Sequence, residues 1–517
     1  MTKKIIILIC FLFLAIRLFY IGNDILNSDG ARWYKRTEGF VAALKAGDFA
    51  STYQHYQPGV SLMLINSITR QVIWKVQDFT GQARWSLENS GLVQDFIGQP
   101  RWSLENSGDF IAIHTVSKLV LVVVLFGLFL AQLSAISKLF GLKVAIVYGL
   151  VMSIEPYIVG IDRWFHLTAL ETYASFLGFL LYLLYLSSQK AALAVGSGLA
   201  FGISILAKIS GLVGAAAAAI LSVGGLVYKF VKTKEIKYFY FTGLAVFTGT
   251  ALLTIVLLFP ALWVDAGTVI QNVFAAVTDA VDNSSRGRYF APPFSYIYYL
   301  VILAFKLNPV ALFAVVLAIA MLLHSSRTPG GKKAFAILGY IGLLFVVYTF
   351  ADKKIDRYVY ALMQPLLLVI ALGLAQVKTN LLKPLLVVYL AVNVYSYYGH
   401  FPAMSGYYSP LFGGAQAALS MGIFDNSGEY MLQAARYLNG VNATEGNRAK
   451  VYVPRDLEPF KYTYGGPSVS EFEPGTKYLI KKLGITREET SIVACDKVVT
   501  EFGPRYGVPY VYILACR

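Results

Sequence analysis

The stretch Leu119-Val-Leu-Val-Val-Val-Leu-Phe-Gly-Leu-Phe-Leu-Ala-Gln-Leu-Ser-Ala-Ile136 contains no charged residue and is almost entirely apolar. About 18 consecutive residues of this kind are enough for an α-helix to cross the hydrocarbon core of a bilayer. Similar runs recur along the chain, which is 57% hydrophobic, whereas soluble domains are roughly 45–50% apolar. The sequence therefore predicts a membrane all-α protein that crosses the bilayer many times.

Hydropathy predicts a polytopic helical bundle of about eleven spans. The first apolar run, from Lys4 to Gly22, begins like a signal peptide. It is long, contains Arg17 and lacks a small-residue cleavage site, so we interpret it as a retained span. The other predicted spans are residues 111–136, 142–160, 165–187, 191–207, 211–230, 239–259, 295–323, 334–350, 358–376 and 380–397.

The distribution of Lys and Arg predicts the orientation of these spans. If the N-terminus is cytoplasmic, every predicted inner loop contains positive charge, as the positive-inside rule requires. The odd number of spans then places the C-terminal tail outside, together with residues 23–110 and 260–294. We expect a multi-pass protein of the plasma membrane with its C-terminal domain on the extracytoplasmic side.

The sequence changes character near residue 398. We predict a transmembrane domain over residues 1–398 and a small extracytoplasmic α/β domain over 399–517, because a helical stretch alternates there with short β-like runs. Cys495 and Cys516 fall in two of those runs. An outward tail lies in an oxidising space, so a disulfide between them is one interpretation, and two buried free thiols are the other.

The first outer loop, 23–110, contains an internal repeat. Residues 77–91 recur as 94–108 with two changes. A solenoid needs at least about three copies, so we interpret the repeat as a local duplication in a tolerant surface loop.

Charge and composition exclude some functions. The net charge of +15 does not predict nucleic-acid binding, because the Lys and Arg residues are spread over short loops without base-stacking aromatic residues. The spacing of the Cys and His residues indicates no zinc site. No cofactor is predicted, and dependence on a divalent metal is left open.

Several ionisable residues lie at the outer face on the predicted topology. Asp29 follows the first span, where a partly buried carboxylate can act as a base; the alternative is a helix cap or a solvated acid. Arg163, Lys208 and Arg357 also face outward, against the usual charge rule. An anionic ligand would explain them, since Arg and Lys are the natural partners of phosphate; solvated loop charges are the alternative.

Six short motifs, in this order, resemble those of the C-type integral-membrane glycosyltransferases, specifically glycosyltransferase family 39. That branch contains the protein O-mannosyltransferases and the lipid A aminoarabinose transferases. The motifs are Asp29-Gly-Ala-Arg32-Trp33, His55-Tyr-Gln-Pro58-Gly59, Ile161-Asp-Arg163 with His166-Leu-Thr168-Ala-Leu170, Ala207-Lys208-Ile-Ser210-Gly211, Phe259-Pro-Ala-Leu-Trp263 and Lys353-Lys354-Ile-Asp356-Arg357-Tyr358. Gly30 and Thr168 depart from the family pattern, in which Glu and Asp are usual.

The resemblance implies transfer of a sugar from a polyprenyl- or dolichyl-phosphate-linked donor to an acceptor hydroxyl on the outer side, with inversion. The acceptor is left open between a protein, a glycolipid and a cell-wall polymer. Asp29 is then the expected general base. Residues expected to bind the donor phosphate are Lys354, Arg357, Arg163 and Lys208. Residues expected to bind substrate are Arg32, His55, His166 and Tyr358.

A polytopic lipid or sugar transporter, or a flippase, is the alternative function. Transporters usually show repeated halves and helices broken near the middle of the membrane. The sequence shows no halves of matching pattern, and its candidate residues collect at one face.

Overall fold

A computed structural model describes most of the chain. The described residues are 2–81, 104–235, 238–282, 294–324, 329–351, 353–446, 448–454, 458–483 and 495–517. The predicted duplication at 77–91 and 94–108 lies mostly outside them.

The described residues up to His400 are mostly helical. Its helices are α1 Thr2–Leu18, α2 Ser28–Ala46, α3 Val60–Thr80, α4 Leu104–Phe140, α5 Leu142–Ile154, α6 Pro156–Asp162, α7 Leu167–Ser188, α8 Ala191–Ala207, α9 Gly211–Thr233, α10 Tyr238–Leu258, α11 Ala261–Asp282, α12 Tyr298–Lys306, α13 Pro309–His324, α14 Pro329–Phe350, α15 Tyr360–Leu374 and α16 Thr379–His400. Short 3-10 turns cover Ala50–Thr52 and Asp356–Val359.

The predicted fold class is confirmed, with fewer full-length spans than hydropathy suggested. Among the described residues, eight helices are long and apolar enough to cross a membrane, or nine if one bent pair is counted as a span. The predicted span 142–160 bends by 69° between α5 and α6, where Pro156 lacks the N–H that a continuous helix needs. The predicted span 295–323 is divided into α12 and α13. Conversely, α11 is apolar and long enough to span, although the sequence placed it in an outer connection.

The two helix breaks meet inside the bundle. Glu155, at the first break, is fully buried and accepts a hydrogen bond from the Asn308 backbone N–H at the second break, at 2.7 Å. The Tyr389 hydroxyl donates to the same carboxylate. Backbone groups freed by a broken helix must find partners inside the protein, and this carboxylate provides one.

Helices α7 and α15 form the centre of the bundle, since most of their residues are buried, whereas α10 and α11 lie at the rim. The buried Arg17 side chain links α1 to this centre. Its guanidinium lies 2.7 Å from Asp162 Oδ2, and the hydroxyls of Tyr173 and Tyr360 donate to the same carboxylate. A buried ion pair needs this kind of surrounding hydrogen bonding to offset its desolvation.

The C-terminal part is a small α/β unit, as predicted. It contains helices α17 Gly414–Ser420, α18 Met431–Glu445 and α19 Glu458–Lys461, and strands β1 Val451–Tyr452, β2 Ser468–Val469, β3 Tyr478–Lys482, β4 Lys497–Phe502 and β5 Val511–Ala515. The strand order is β2-β1-β3-β5-β4. Strand β1 pairs in parallel with β2 and β3, whereas β5 is antiparallel to β3 and β4. Cys495 and Cys516 are joined by a disulfide.

Candidate active site

A pocket of about 270 Å³ lies where the loops of the predicted outer face converge. It is bounded by the start of α2, the loop before α3, the turn before α7, the α8–α9 turn and the segment before α15. Its lining residues are Asp29, Arg32, Trp33, Arg36, His55, Tyr56, Gln57, His166, Leu167, Lys208, Lys353, Arg357 and Tyr358. Seven of the nine residues predicted for catalysis or substrate binding are therefore brought together here.

Among the described residues that line this pocket, Asp29 is the only acidic one. It lies in the first turn of α2, which Asn27 caps by accepting a hydrogen bond from the Gly30 N–H. Its Oδ2 lies 2.7 Å from Arg357 Nη2 and 3.6 Å from His166 Nε2, while Oδ1 lies 3.6 Å from Arg32 Nη1. Arg357 first, and then His166, lowers the pKa of Asp29 well below its usual range. The carboxylate is therefore ionised at neutral pH.

Close packing explains the glycine beside Asp29. A Cβ atom at Gly30 would lie 2.9 Å from Asn27 Oδ1 and 3.1 Å from the carbonyl oxygen of Phe165. Glycine lets the backbone approach this closely. A larger side chain at this position would crowd both the Asn27 side chain and the backbone of the turn before α7.

The turn before α7 presents His166 to Asp29. His166 Nδ1 accepts a hydrogen bond from the Thr168 N–H at 3.2 Å and contacts the Thr168 hydroxyl at 3.0 Å. The Nδ1 atom is thus an acceptor, which leaves the proton of a neutral ring on Nε2, facing the carboxylate. Burial lowers the pKa of His166 to about 4, so the ring is neutral at pH 7.

A second histidine lies across the pocket. Burial lowers the pKa of His55 to about 4, and its Nδ1 accepts a hydrogen bond from the Gln57 N–H at 3.1 Å. The Gln57 side chain in turn accepts from the Ile209 N–H at 3.1 Å. This contact ties the loop before α3 to the turn that carries Lys208.

The rest of the pocket is strongly basic. Lys208 Nζ lies 4.1 Å from the centre of the Tyr358 ring. Burial lowers the pKa of Lys208, and the nearby Glu171 carboxylate opposes that shift. The cationic side chains of the lining are Arg32, Arg36, Lys208, Lys353 and Arg357. Five cations face one carboxylate, an imbalance that an anionic ligand would neutralise.

Arg357 also has an unused hydrogen-bond donor. Its Nε atom is buried and has no hydrogen-bond partner among the described residues. Buried polar groups in proteins almost always have partners. While the guanidinium contacts Asp29, one of its N–H groups therefore has no partner among the described residues.

The predicted roles of two residues need correction. Arg163 is buried outside the pocket, where its Nε donates to Asp24 Oδ2 at 2.8 Å and its other nitrogens donate to two backbone carbonyls. Lys118 Nζ pairs with the other oxygen of Asp24. Burial alone would raise the pKa of Asp24, but these two cations overcome it and lower that pKa to about 2. Arg163 is thus part of a buried ion-pair network.

Lys354 also lies outside the pocket. It is buried, and its Nζ donates to the carbonyl oxygens of Tyr348, Thr349 and Ala351 at the end of α14. A cation at a helix C-terminus satisfies unpaired carbonyls and interacts favourably with the helix dipole. The adjacent Lys353 lines the pocket instead.

Sequence reasoning gave no site role to several lining residues. Trp33, Tyr56, Gln57, Leu167 and Lys353 all lie within the family-like motifs.

Arg36, in contrast, lies outside every motif. It follows Arg32 by four residues on α2, and residues four apart share one helix face. That spacing could have predicted that Arg36 lies on the same face of α2 as Arg32.

The described residues hold no group of three or more His, Cys, Asp or Glu side chains suited to a metal ion. No protein-family model and no curated protein matches the chain.

Solved membrane transferases resemble the chain in structure. One is ArnT from Cupriavidus metallidurans bound to undecaprenyl phosphate, which is 13% identical over 99% of this chain and 97% of that one, with a TM-score of 0.53. The same ArnT in its apo state gives 11% identity, 99% and 98% coverage and the same TM-score. The predicted C-type glycosyltransferase fold is thereby confirmed.

An oligosaccharyltransferase is a more distant match. AglB from Archaeoglobus fulgidus, in complex with an inhibitory peptide and a dolichol-phosphate, is 10% identical over 93% of this chain and 69% of that one. Its TM-score of 0.47 supports no comparison of sites.

Proposed function

We propose that this protein is a membrane glycosyltransferase that moves a sugar from a polyprenyl-phosphate-linked donor to an acceptor hydroxyl on the outer side of the membrane. The observation that carries the proposal is one ionised carboxylate, Asp29, in a pocket with five cationic side chains. The solved ArnT of this fold binds undecaprenyl phosphate, which supports a donor of that class.

In this proposal Asp29 acts as the general base through Oδ1. Arg357 Nη2 contacts Oδ2 at 2.7 Å, whereas Arg32 Nη1 lies 3.6 Å from Oδ1. The acceptor hydroxyl gives its proton to Oδ1, and its oxygen attacks the anomeric carbon from the face opposite the phosphate. The bond from that carbon to the phosphate oxygen breaks, its electron pair stays on the phosphate, and the sugar is inverted. A positioned base typically contributes about 10²–10⁴-fold to the rate.

The cations of the pocket stabilise the departing phosphate. Arg357 contributes its guanidinium, and Lys208 and Lys353 add positive charge from neighbouring turns. Fixed donors aimed at developing negative charge cost no reorganisation during the reaction. A phosphate that draws Arg357 away from Asp29 also raises the pKa of Asp29, and a carboxylate of higher pKa is a better base.

The test uses purified full-length protein in nanodiscs with a radiolabelled undecaprenyl-phosphate-linked sugar and a crude outer-membrane or cell-wall acceptor extract. We expect wild-type protein to transfer the label without an ion gradient and Asp29→Asn to lose at least about 10²-fold in rate. Asp48→Asn is the matched control, because Asp48 is an exposed acid just beyond the other end of α2 whose carboxylate interacts with the side chain and the backbone N–H of Ser51. Near-wild-type turnover in Asp29→Asn would remove Asp29 from the mechanism, and gradient-dependent movement of intact donor would favour a transporter.

A further inference from the structure

Arg357 shares its 3-10 turn with an acid that forms a separate buried contact. Arg357 reaches Asp29 in the pocket, while Asp356 is 6% exposed and contacts Lys306 Nζ at 3.1 Å. The Lys306 side chain is fully buried at the end of α12. One residue of the turn is therefore part of the pocket, and its neighbour is held in the protein interior.

The C-terminal part of the chain surrounds this ion pair. Lys306 Nζ contacts the Ser405 carbonyl oxygen at 3.4 Å and lies 3.6 Å from the centre of the Tyr408 ring. Asp425 contacts the Asp356 carboxyl group, and its N–H donates to the Tyr408 hydroxyl at 2.8 Å.

Stability alone gives a weak reason for such an arrangement. The desolvation of two buried charges often exceeds their mutual attraction, and apolar residues of similar size frequently replace such a pair without loss of stability. What a buried pair does provide is a defined geometry, because each charge must meet its one partner. Here that geometry fixes the residue next to Arg357.

We propose that the Lys306–Asp356 ion pair is a positioning device for Arg357, and that through it the C-terminal domain becomes part of the donor-phosphate site. The pair holds the turn Asp356–Val359 so that Arg357 lines the pocket and its guanidinium reaches Asp29, where the donor phosphate binds. The phosphate part of this inference rests on the proposed function. The placement of the turn does not.

The test compares single and double variants of the full-length protein in nanodiscs. Lys306→Met and Asp356→Asn each leave one buried charge unpaired, so both are expected to unfold at lower temperature. The double variant removes both charges and is expected to recover most of the thermal stability. Undecaprenyl phosphate is the binding probe, and hydrogen exchange of peptides covering residues 353–360 reports the turn without any ligand.

We expect the double variant to fold and to bind undecaprenyl phosphate about tenfold more weakly than the wild type. Its KM for the donor should rise more than its kcat falls. Its backbone amides at residues 353–360 should exchange hydrogen faster. Glu155→Gln is the control, because Glu155 is a buried acid whose hydrogen bonds are to Asn308 and Tyr389; it should lower stability without changing affinity. Wild-type affinity and exchange in a folded double variant would overturn the inference. If wild-type protein fails to bind the probe, the proposed donor is wrong, and the exchange of 353–360 still decides whether the pair positions the turn.

Discussion

Replacing Arg357 with Gln should raise the pKa of Asp29 and shift the acid limb of the pH–rate profile upward. Arg357 Nη2 lies 2.7 Å from Asp29 Oδ2, with side-chain exposures of 19% and 28%, and Arg357 is the largest cause of the low pKa of Asp29. An opposite charge this close lowers a carboxyl pKa by about 1–3 units. The ionised carboxylate is the active form. When the protein is acidified, Arg357→Gln should therefore lose activity at a pH about 1–3 units higher than the wild type does.

The assay is kcat/KM for the lipid-linked donor measured against pH. The acid limb of kcat/KM reports the free enzyme, in which Asp29 is paired with Arg357. Arg357→Lys is the matched control, because it keeps the charge and loses the planar fork of N–H groups. We expect the control to keep the limb near its wild-type position and to lower kcat/KM by about tenfold, as one lost charge-assisted hydrogen bond would.

The same experiment tests whether the donor phosphate competes for Arg357. The acid limb of kcat reports the enzyme–substrate complex. If the phosphate draws Arg357 away from Asp29, the wild-type limb of kcat lies above that of kcat/KM, and the two limbs converge in Arg357→Gln. An acid limb of kcat/KM that does not move in Arg357→Gln would refute Asp29 as the titrating base. If the acid limbs of kcat and kcat/KM coincide in the wild type, the donor phosphate does not compete with Asp29 for Arg357.

Three further predictions concern the surrounding cations. Burial lowers the pKa of Lys208 to about 8, so kcat/KM for the donor should fall as the pH rises through about 8. Lys208→Arg should move that fall to higher pH, because Arg stays protonated. Measurement of kcat/KM against pH above neutrality checks this. Lys353→Ala should weaken undecaprenyl phosphate binding about tenfold without changing thermal unfolding, whereas Lys354→Ala should lower the unfolding temperature and leave binding intact. Asp24→Asn leaves two buried cations unpaired and should lower the free energy of unfolding by about 3–5 kcal/mol, measured by denaturant unfolding in detergent.

Much of the site could be predicted from the order of the motifs. Helices of a membrane protein end at its two faces, so alternation of spans decides which loops are neighbours. That reasoning placed Asp29, Arg163, Lys208 and Arg357 on one face, and the structure brings all of them except Arg163 into one pocket. The helical class followed equally directly from long apolar runs, which leave few other folds available in a bilayer.

Local backbone direction could not be predicted from the sequence. Lys353 and Lys354 are adjacent and chemically identical, yet one lines the pocket and the other binds the carbonyls at the end of α14. Hydropathy alone also missed the break near Asn308, although the dipeptide Asn308-Pro309 is a local signal for a helix boundary. The buried partner of this break, Glu155, is distant in the chain, so a single-sequence pattern does not contain that contact.

The hydrogen-bond and ion-pair partners of each cation distinguish cations that stabilise the fold from those that line the proposed site. Arg163 has a carboxylate and two carbonyls, and Lys306 has a carboxylate, a carbonyl and an aromatic ring. A buried cation with this many acceptors would lose them by turning toward a ligand, so it holds structure in place. Arg357 differs because its Nε–H has no partner in the described part of the chain and its carboxylate partner is the proposed base. An anion that binds the Arg357 guanidinium also changes the electrostatic environment of Asp29, so we expect donor binding and base strength to change together.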